Sequence, residues 1–157
     1  MVNKAVNYLR ERGLAPDTFV ILGSGLGKML DKYDYNRIDI PFRDIPGFPQ
    51  LTVEGHIGEI SYVTTDNHRY MFFRGRKHLY EDVPMEEALF AHMVAKELGV
   101  KRGILTCSVG SVNPHFRVGD IVQVMDYIDF QFLKPMPKLT LDGQINLNPP
   151  KDVSKIA

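Results

Sequence analysis

The stretch Thr18-Phe19-Val20-Ile21-Leu22-Gly23-Ser24-Gly25-Leu26-Gly27 decides the fold of this chain. Its first half, residues 18–22, is β-branched and aromatic and shows no alternation of apolar with polar residues. That pattern is typical of a strand buried on both faces of a parallel sheet. Three glycines follow, and a short helix is predicted over 28–33. A strand, a glycine turn and a helix in this order predict an α/β protein whose central strand is 18–22.

The segments on either side of this stretch carry further patterns of helices and strands. In chain order, we predict a helix over 3–12, an ordered loop over 41–55, a hairpin of strands 57–64 and 68–73, a helix over 85–98, and strands over 103–106 and 121–125. Strands separated by a helix favour parallel pairing, whereas a hairpin adds an antiparallel pair. The predicted fold class is therefore α/β, with a mixed, largely parallel central sheet flanked by helices.

Composition limits the classes of protein to which the chain can belong. Its 157 residues, 44% of them hydrophobic, fit one soluble globular domain. Because 19 Lys and Arg balance 19 Asp and Glu, we expect no nucleic-acid partner. We expect no membrane partner either, and the lack of a secretory signal favours a cytoplasmic protein. The single Cys107 excludes an internal disulfide and a multi-thiolate metal site, and we interpret it as a small buried residue.

The glycine turn at residues 23–27 is the first candidate binding site. Glycines between a strand and a helix expose backbone N–H groups, and a helix N-terminus favours an anion, so this short loop with Ser24 suits one phosphate. Lys28 stands where a dinucleotide-binding fingerprint has its third glycine, and the pattern of a nucleoside triphosphate-binding loop does not match either. The alternative, a tight turn that binds no ligand, stays open because glycine turns are common in α/β proteins.

A second candidate is the loop Arg74-Gly75-Arg76-Lys77-His78-Leu79-Tyr80-Glu81, which follows a predicted strand. Arg76 could bind phosphate through its planar guanidinium, and His78 could donate a further hydrogen bond. Tyr80 offers a hydroxyl or a flat ring to a sugar. The alternative interpretation is a solvated basic loop capped by Glu81, because charged loops are usually exposed without binding anything.

Two further features of the sequence bear on the same site. The loop over 106–114 follows another predicted strand, so its backbone N–H groups, with the small side chain of Ser108, would form a second wall. His56 lies at the entrance to the hairpin and could point into a cleft, although a lone loop histidine is more often structural. No metal ion is expected, because the histidines lack the spacing of metal ligands; they are His56, His78, His92 and His115.

Five motifs, in this order, resemble those of the trimeric purine nucleoside phosphorylases. They are Ile21-Leu22-Gly23-Ser24-Gly25-Leu26-Gly27, Ile45-Pro46-Gly47-Phe48-Pro49, Gly55-His56-Ile57-Gly58, Gly75-Arg76-Lys77-His78-Leu79-Tyr80-Glu81 and Asn113-Pro114-His115-Phe116-Arg117-Val118-Gly119-Asp120. The resemblance covers about residues 15–130, and five motifs at family-like spacing are far more specific than any one of them. It implies a phosphorylase/hydrolase-like α/β fold.

The resemblance also implies an activity and a set of site residues. Inorganic phosphate, as co-substrate, would cleave a purine nucleoside to the free base and α-ribose (or deoxyribose) 1-phosphate. Such a pentosyltransferase of purine salvage is a homotrimer and needs no metal or organic cofactor. The implied residues are Ser24, Arg76, His78 and the backbone of Ser108 on the phosphate, with His78 catalytic, His56 beside the phosphate, Tyr80 at the ribose, and Glu81 as support of the loop that carries Arg76 and His78.

The sequence departs from the family pattern in two ways. Cys107-Ser108-Val109-Gly110-Ser111 stands where the family usually has Asn-Ala-Ala-Gly-Gly. The residues that recognise and protonate the purine lie in the second half of family members and are not found here, so the base-binding residues are unknown. We therefore expect residues 1–132 to be the N-terminal part of a nucleoside phosphorylase domain, incomplete at its C-terminus, and 133–157 to be an irregular tail without an assignable motif.

Three hypotheses follow from that expectation. The chain could be a truncation of an ordinary phosphorylase, or a natural short protein that a partner chain completes. It could also be a phosphate- or nucleoside-binding module without catalysis. Without a group that stabilises the departing base, only the phosphate half of transition-state binding would remain, so a truncated or split chain would bind but not react by itself.

Overall fold

The computed structural model describes residues 1–33, 35–51 and 56–126, together with the backbone of Lys138–Leu139 and Ile145–Asn146. The chain forms two compact units, Met1–Gly110 and Ser111–Ala157. In the first unit the elements are α1 (Val2–Glu11), β1 (Thr18–Ile21), β2 (Asn36–Pro41), β3 (Glu59–Thr64), β4 (Arg69–Phe73), α2 (Met85–Ala88), α3 (Phe90–Glu97) and β5 (Arg102–Leu105). Short 3-10 helices cover Gly27–Lys32, Phe42–Asp44 and Leu79–Glu81.

The first unit is built on one sheet of five strands in the order β2-β3-β4-β1-β5. Strand β1 pairs in parallel with β4 on one side and β5 on the other, whereas β2, β3 and β4 form an antiparallel meander. The predicted mixed α/β sheet is confirmed, but it is not largely parallel. Its pairings divide equally between parallel and antiparallel, because β2, which was not predicted, adds a second antiparallel pair. Since β1 has parallel neighbours on both sides, it is the central strand of the parallel half.

Strand β1 is buried on both faces, as its continuous apolar sequence predicts. Ile21 belongs to the main core with the buried face of α1, whose residues Ala5 and Leu9 are fully enclosed. Helix α3 packs against α1 and adds Val94 to the same core. On the other face of the sheet, a second cluster joins Val20 and Leu22 of β1 and its extension to Leu30 of the 3-10 helix.

The predicted hairpin and the predicted helices are observed with small changes. Strands β3 and β4 pair around the turn at residues 65–68, with Thr64 opposite Arg69. The helix predicted over 85–98 is divided at Leu89, whose φ of −95° and ψ of 3° lie outside the regular helical values. The backbone N–H of Leu89 still donates to Met85 at 2.9 Å, so α2 and α3 remain hydrogen-bonded across the break.

Strand β2 was not predicted, although its sequence carries a signal. Ile38 and Ile40 alternate with the charged residues Arg37 and Asp39, which is the pattern of a half-buried strand. Its last residue, Pro41, is the first residue of the loop predicted over 41–55. The 3-10 helix Phe42–Asp44 falls within that loop, and residues 52–55 of it lie outside the described residues.

The strand predicted over 121–125 is wrong. These residues form no strand, and the side chains of Ile121 and Met125 are 100% and 85% exposed. An apolar run becomes a strand only when its backbone pairs with a neighbour, and no pairing of this run is observed with any described strand. The described part of the second unit has turns around His115 and Asp120, with the Arg117 N–H donating to the Asp120 carboxylate at 2.8 Å.

Little of the predicted tail over 133–157 is described. Two short strands, β6 (Lys138–Leu139) and β7 (Ile145–Asn146), pair antiparallel there, and the rest lies outside the described residues. The division at residue 132 was drawn from motif content and stays a prediction. None of the helices in the described ranges is long and apolar enough to cross a membrane.

Candidate functional site

Three loops leave the sheet at one edge, because they follow three adjacent strands that run in the same direction. Ile21 at the end of β1 lies opposite Phe73 at the end of β4 and opposite Leu105 at the end of β5. Ligands of α/β proteins bind outside the carboxyl ends of parallel strands, so this edge is where a site is expected. The three loops are the glycine loop (Gly23–Gly27), the basic loop (Arg74–Glu81) and the loop over 106–110.

The glycine loop is held against the loop that follows β5. The Gly23 N–H donates to the Thr106 hydroxyl at 2.9 Å, and that hydroxyl donates to the Ile21 carbonyl at 3.0 Å. A Cβ at position 23 would lie 2.6 Å from the Thr106 carbonyl oxygen, so only glycine permits this approach. The Ser108 hydroxyl donates to the Ser24 carbonyl at 2.8 Å. The structure therefore brings together Ser24 and Ser108, both exposed.

The basic loop is fixed by Glu81. One carboxylate oxygen of Glu81 accepts the His78 backbone N–H at 2.6 Å, and the other pairs with the Lys77 ammonium at 3.1 Å. Lys77 and Glu81 are 7% and 9% exposed, so this pair is shielded from water and interacts more strongly than a surface ion pair. Through these contacts Glu81 holds Lys77 and the backbone of His78 in place, and its predicted role in the site stays a prediction.

Three aromatic side chains gather at the basic loop. The His78 ring stacks on Tyr80 with centroids 4.8 Å apart and an interplanar angle of 12°. The His56 ring lies 5.5 Å from His78 on centroids. Its Nδ1 atom is buried and has no hydrogen-bond partner among the described residues. Tyr80 is 73% exposed, so its ring has a free surface for a ligand.

Arg76 carries a positive charge next to this group of rings. Its guanidinium is half-buried and makes no hydrogen bond or ion pair within the described ranges. Burial lowers the pKa of His78 below the ordinary value, and the charges of Arg76 and His56 lower it further, against the opposing effect of Glu81. His78 is therefore neutral at neutral pH. A neutral imidazole beside an unpaired guanidinium can bind an anion, the first through hydrogen bonds and the second through charge.

The glycine loop, which carries Ser24, is also connected by hydrogen bonds to the basic loop, which carries His78 and Tyr80. The Leu22 N–H donates to the Phe73 carbonyl at 3.0 Å, which continues the β1–β4 pairing toward the site. The Arg74 Nε donates to the Gly27 carbonyl at 2.7 Å, joining the basic loop to the end of the glycine loop. Arg74 and Thr106 were not singled out from the sequence; a charged residue at the end of an apolar strand was the available signal for Arg74.

Cys107 differs from its prediction. We expected a small buried residue, and its thiol side chain is exposed. The reason is the position of β5, which forms one edge of the five-stranded sheet and whose four residues are all exposed. Among the described residues, no three His, Cys, Asp or Glu side chains lie close enough together to hold one metal ion.

The fold is a mixed α/β sheet whose parallel strands carry, at their carboxyl ends, side chains with the chemistry to bind an anion. A sequence profile of the phosphorylase superfamily matches residues 17–152. The chain belongs to the phosphorylase superfamily, as the order of its motifs predicts.

Individual relatives and a solved structure agree with this membership. The protein named purine nucleoside phosphorylase 1 of Bacillus subtilis (strain 168) is 39% identical over 122 residues, which are 78% of this chain and 45% of the relative. The protein of the same name from Geobacillus stearothermophilus is 37% identical over 129 residues, 82% of this chain and 47% of the relative. A crystal structure of purine nucleoside phosphorylase in complex with ribose 1-phosphate superposes with a TM-score of 0.66 at 33% identity, over 76% of this chain and 44% of that one.

These comparisons also show how much of a relative the chain represents. It spans about half the length of the curated relatives that it matches.

Proposed function

We propose that the protein to which this chain belongs is a purine nucleoside phosphorylase. The observation that carries the proposal is the half-buried guanidinium of Arg76, without a partner among the described residues, beside the neutral ring of His78. An arginine fork that is not already paired is suited to phosphate, because its N–H donors match two phosphate oxygens. The relatives' names support phosphate and a purine nucleoside as the substrates.

In this proposal, phosphate binds between the glycine loop and the basic loop. Ser24, Arg76, His78 and the backbone N–H of Ser108 hold its oxygens, with His56 beside it, and His78 is the catalytic residue. The phosphate then attacks the anomeric carbon of the nucleoside, the bond from that carbon to the purine nitrogen breaks, and the base leaves. Tyr80 lines the ribose with its exposed ring. A positioned anion beneath the sugar stabilises the positive charge that develops on it in the transition state.

The neutral state of His78 has a chemical consequence. A neutral imidazole donates a hydrogen bond to phosphate without neutralising the negative charge that makes phosphate a nucleophile. The pair of Arg76 and neutral His78 therefore orients the anion while only one full positive charge faces it. Phosphate is a co-substrate, and the proposal includes no metal or organic cofactor.

The remaining properties of the whole protein are part of the same proposal. We place it in purine salvage in the cytoplasm, as a homotrimer, with no nucleic-acid or membrane partner. The base-binding residues stay unknown. A second candidate is a truncated or split family member that binds phosphate or nucleoside but is inactive without a C-terminal half or a partner chain. The length of the chain relative to its relatives favours this second candidate for the isolated 157 residues.

One pair of measurements tests the binding site. In Arg76→Ala, we expect phosphate affinity to fall by about tenfold or more, because a charge-assisted hydrogen bond to phosphate contributes roughly 1.5–3 kcal/mol. Isothermal titration calorimetry with inorganic phosphate measures this. The matched control is Arg43→Ala, which removes an exposed guanidinium from a different loop. Undiminished phosphate binding in a folded Arg76→Ala protein would show that the site is elsewhere.

A second measurement separates the three hypotheses that the sequence left open: a truncated phosphorylase, a split enzyme and a binding module without catalysis. Phosphorolysis of inosine is followed with the 157-residue chain alone, with the complete gene product, and with the chain plus any separate polypeptide that completes it. Activity of the complete gene product alone supports truncation, and activity only with a second polypeptide supports a split enzyme. Phosphate binding without phosphorolysis in every case supports a binding module.

A further inference from the structure

Arg74 is a buried cation that the proposed phosphate site does not use. It directly follows β4, and only 3% of its surface is exposed. Its backbone continues the β3–β4 pairing, because its N–H donates to the Glu59 carbonyl at 2.9 Å and its carbonyl accepts the Gly58 N–H at 3.0 Å. A buried guanidinium is unfavourable unless it is paired and hydrogen-bonded, so its partners indicate what the residue does.

The side chain of Arg74 reaches three acceptors on two different segments. Its Nε donates to the Gly27 carbonyl at 2.7 Å, and one terminal nitrogen donates to the Asp31 carboxylate at 2.5 Å. The other terminal nitrogen pairs with the carboxylate of Glu59 on β3. Gly27 is both the last residue of the glycine loop and the first of the 3-10 helix on which Asp31 lies. A guanidinium presents its N–H donors in a rigid planar fork, so one side chain can hold three acceptors in a fixed arrangement.

The 3-10 helix held by Arg74 is also fastened to the edge of the sheet. Asp31 pairs with Arg37 of β2 at 3.3 Å, and Arg37 donates to the Leu30 carbonyl at 2.8 Å. Arg37 further pairs with Asp39 at 3.0 Å, and Asp39 accepts the Ser61 hydroxyl at 2.5 Å. The 3-10 helix is therefore held to β2 by Arg37, and Arg74 connects the same helix to the end of β4.

The glycine loop is consequently held at both ends. Thr106 binds its first residue, Gly23, and Arg74 binds its last residue, Gly27. Arg74 is also joined through one residue, Gly75, to Arg76. One side chain thus sets the position of the glycine loop relative to the loop that carries the phosphate-binding guanidinium.

We propose that Arg74 is a positioning residue that couples the glycine loop to the basic loop and so sets the spacing of the groups that bind phosphate. It does not touch the phosphate. The inference rests on the proposed function, because that function assigns the anion to these two loops. Small errors in the spacing of several groups around one anion weaken all of their hydrogen bonds together.

The test replaces Arg74 by lysine and compares the variant with a matched control. Lysine keeps the positive charge, but its single ammonium cannot serve the three acceptors in the same geometry. The control is Arg69→Lys at the opposite end of β4, where Arg69 makes a fork contact to the exposed Asp17 carboxylate. We expect Arg74→Lys to weaken phosphate binding by about tenfold in calorimetry, and the control to stay within about twofold of the unmodified protein. Equal phosphate affinities in the two variants would overturn the proposal.

A second readout does not depend on phosphate. Hydrogen–deuterium exchange of the amides in residues 23–28 and 75–79 reports the order of both loops, and we expect faster exchange in both loops of Arg74→Lys than in Arg69→Lys. If Arg74→Lys does not fold, Asp31→Asn takes its place, because Asp31 is half exposed and Arg74 keeps Glu59 as a charged partner. Unchanged exchange in the folded variant would contradict the coupling of the loops.

The two readouts also separate this inference from the proposed function. If the unmodified protein and Arg76→Ala bind phosphate equally, the phosphate site is wrong, and the positioning role for phosphate is overturned with it. If Arg76→Ala loses phosphate binding but Arg74→Lys retains it, the site stands and only the role of Arg74 is overturned.

Discussion

At position 75, the backbone has no room for a side chain. Gly75 has a φ of +130°, and a Cβ there would lie 2.5 Å from Leu51 Cδ1 and 2.9 Å from His56 Cβ. The absent methyl group lets His56 pack directly on the basic loop, between Arg74 and Arg76. The approach of His56 to His78 therefore depends on a glycine that the sequence presents only as one member of a motif.

We expect Gly75→Ala to lower the free energy of unfolding by about 2 kcal/mol more than a control, because it adds a steric clash to an unfavourable backbone angle. The control is Gly99→Ala, where φ is +84° and no atom lies within 4 Å of the added Cβ. The control should lose only about 1–2 kcal/mol from backbone strain. Denaturant titration of both variants measures the difference, and equal losses would contradict the packing of His56 on Gly75.

Two histidines of the first unit are expected to make its stability depend on pH. Burial lowers the pKa of His92, and the charge of Arg76 lowers it further, against the opposing effect of a backbone hydrogen bond with Leu89. Burial lowers the pKa of His78 in the same direction. Both pKa values then lie below the value of about 6.5 for an unfolded chain. The free energy of unfolding therefore has its full value above about pH 6.5. It falls at lower pH, because the unfolded state binds protons first.

Replacing His92 tests this sign directly. Its ring packs edge-on against Phe19 with centroids 5.9 Å apart, so His92→Phe keeps an aromatic ring there and removes the titration. We expect the decrease of the free energy of unfolding between about pH 7 and pH 5 to become smaller in this variant. His68→Phe, at an exposed position in the β3–β4 turn, is the control and should keep the decrease. An unchanged pH dependence in His92→Phe would exclude His92 as a cause.

At the scale of elements, one residue, Thr106, connects the carboxyl ends of the parallel strands β1 and β5 by hydrogen bonds. Thr106 follows β5, and both its backbone N–H and its hydroxyl donate to the Ile21 carbonyl at 3.0 Å. The same hydroxyl accepts from Gly23 at 2.9 Å. Thr106 thereby replaces the ladder hydrogen bonds that end where the two strands separate into loops.

Thr106→Val keeps the shape of the side chain and removes its hydroxyl. We expect the free energy of unfolding to fall by about 1–2 kcal/mol, because the partly buried Gly23 N–H loses its acceptor. Thr64→Val is the matched control at the exposed end of β3, where the hydroxyl has no hydrogen-bond partner among the described residues. The control should change stability by less than about 0.5 kcal/mol. Thermal or denaturant unfolding distinguishes the two, and equal effects would contradict the bridging role of Thr106.

The elements differ in how well sequence predicts them. Helix α1 and strand β1 were predicted within about two residues at each end, because their apolar residues show the local spacing of a helix face and of a strand buried on both sides. Strand β2 was missed, and the strand over 121–125 was predicted wrongly. Both errors concern segments whose state depends on a partner: β2 is a strand because β3 pairs with it, and 121–125 has apolar residues but no described partner.

At the scale of the whole molecule, the phosphorylase superfamily membership rests on most of the chain, but the chain spans only 45% and 47% of the two bacterial relatives. The parallel half of the first-unit sheet ends at β5, whose four residues are exposed. Activity, subunit number and base preference are properties of the complete gene product. They are therefore measured on the complete gene product.

The proposed function includes a homotrimer, which the resemblance of the motifs implies, so we expect the complete gene product to sediment as a trimer. Analytical ultracentrifugation over a range of protein concentrations measures the mass. A stable monomer at all concentrations would contradict the expected assembly. The same experiment on the 157-residue chain shows whether its part of the protein associates without the rest.

The sequence by itself determined the family, the α/β class and the identity of the loops that carry the candidate site. It could do so because apolar spacing, glycine turns and short motifs are local properties of neighbouring residues. Only the tertiary structure decided which groups meet: Ser108 with Ser24, His56 with His78, and Arg74 with the end of the glycine loop. The physical reason is that these contacts join residues far apart in the chain. Strand pairing brings them together, and the missing side chains of Gly23 and Gly75 leave space for the close approach.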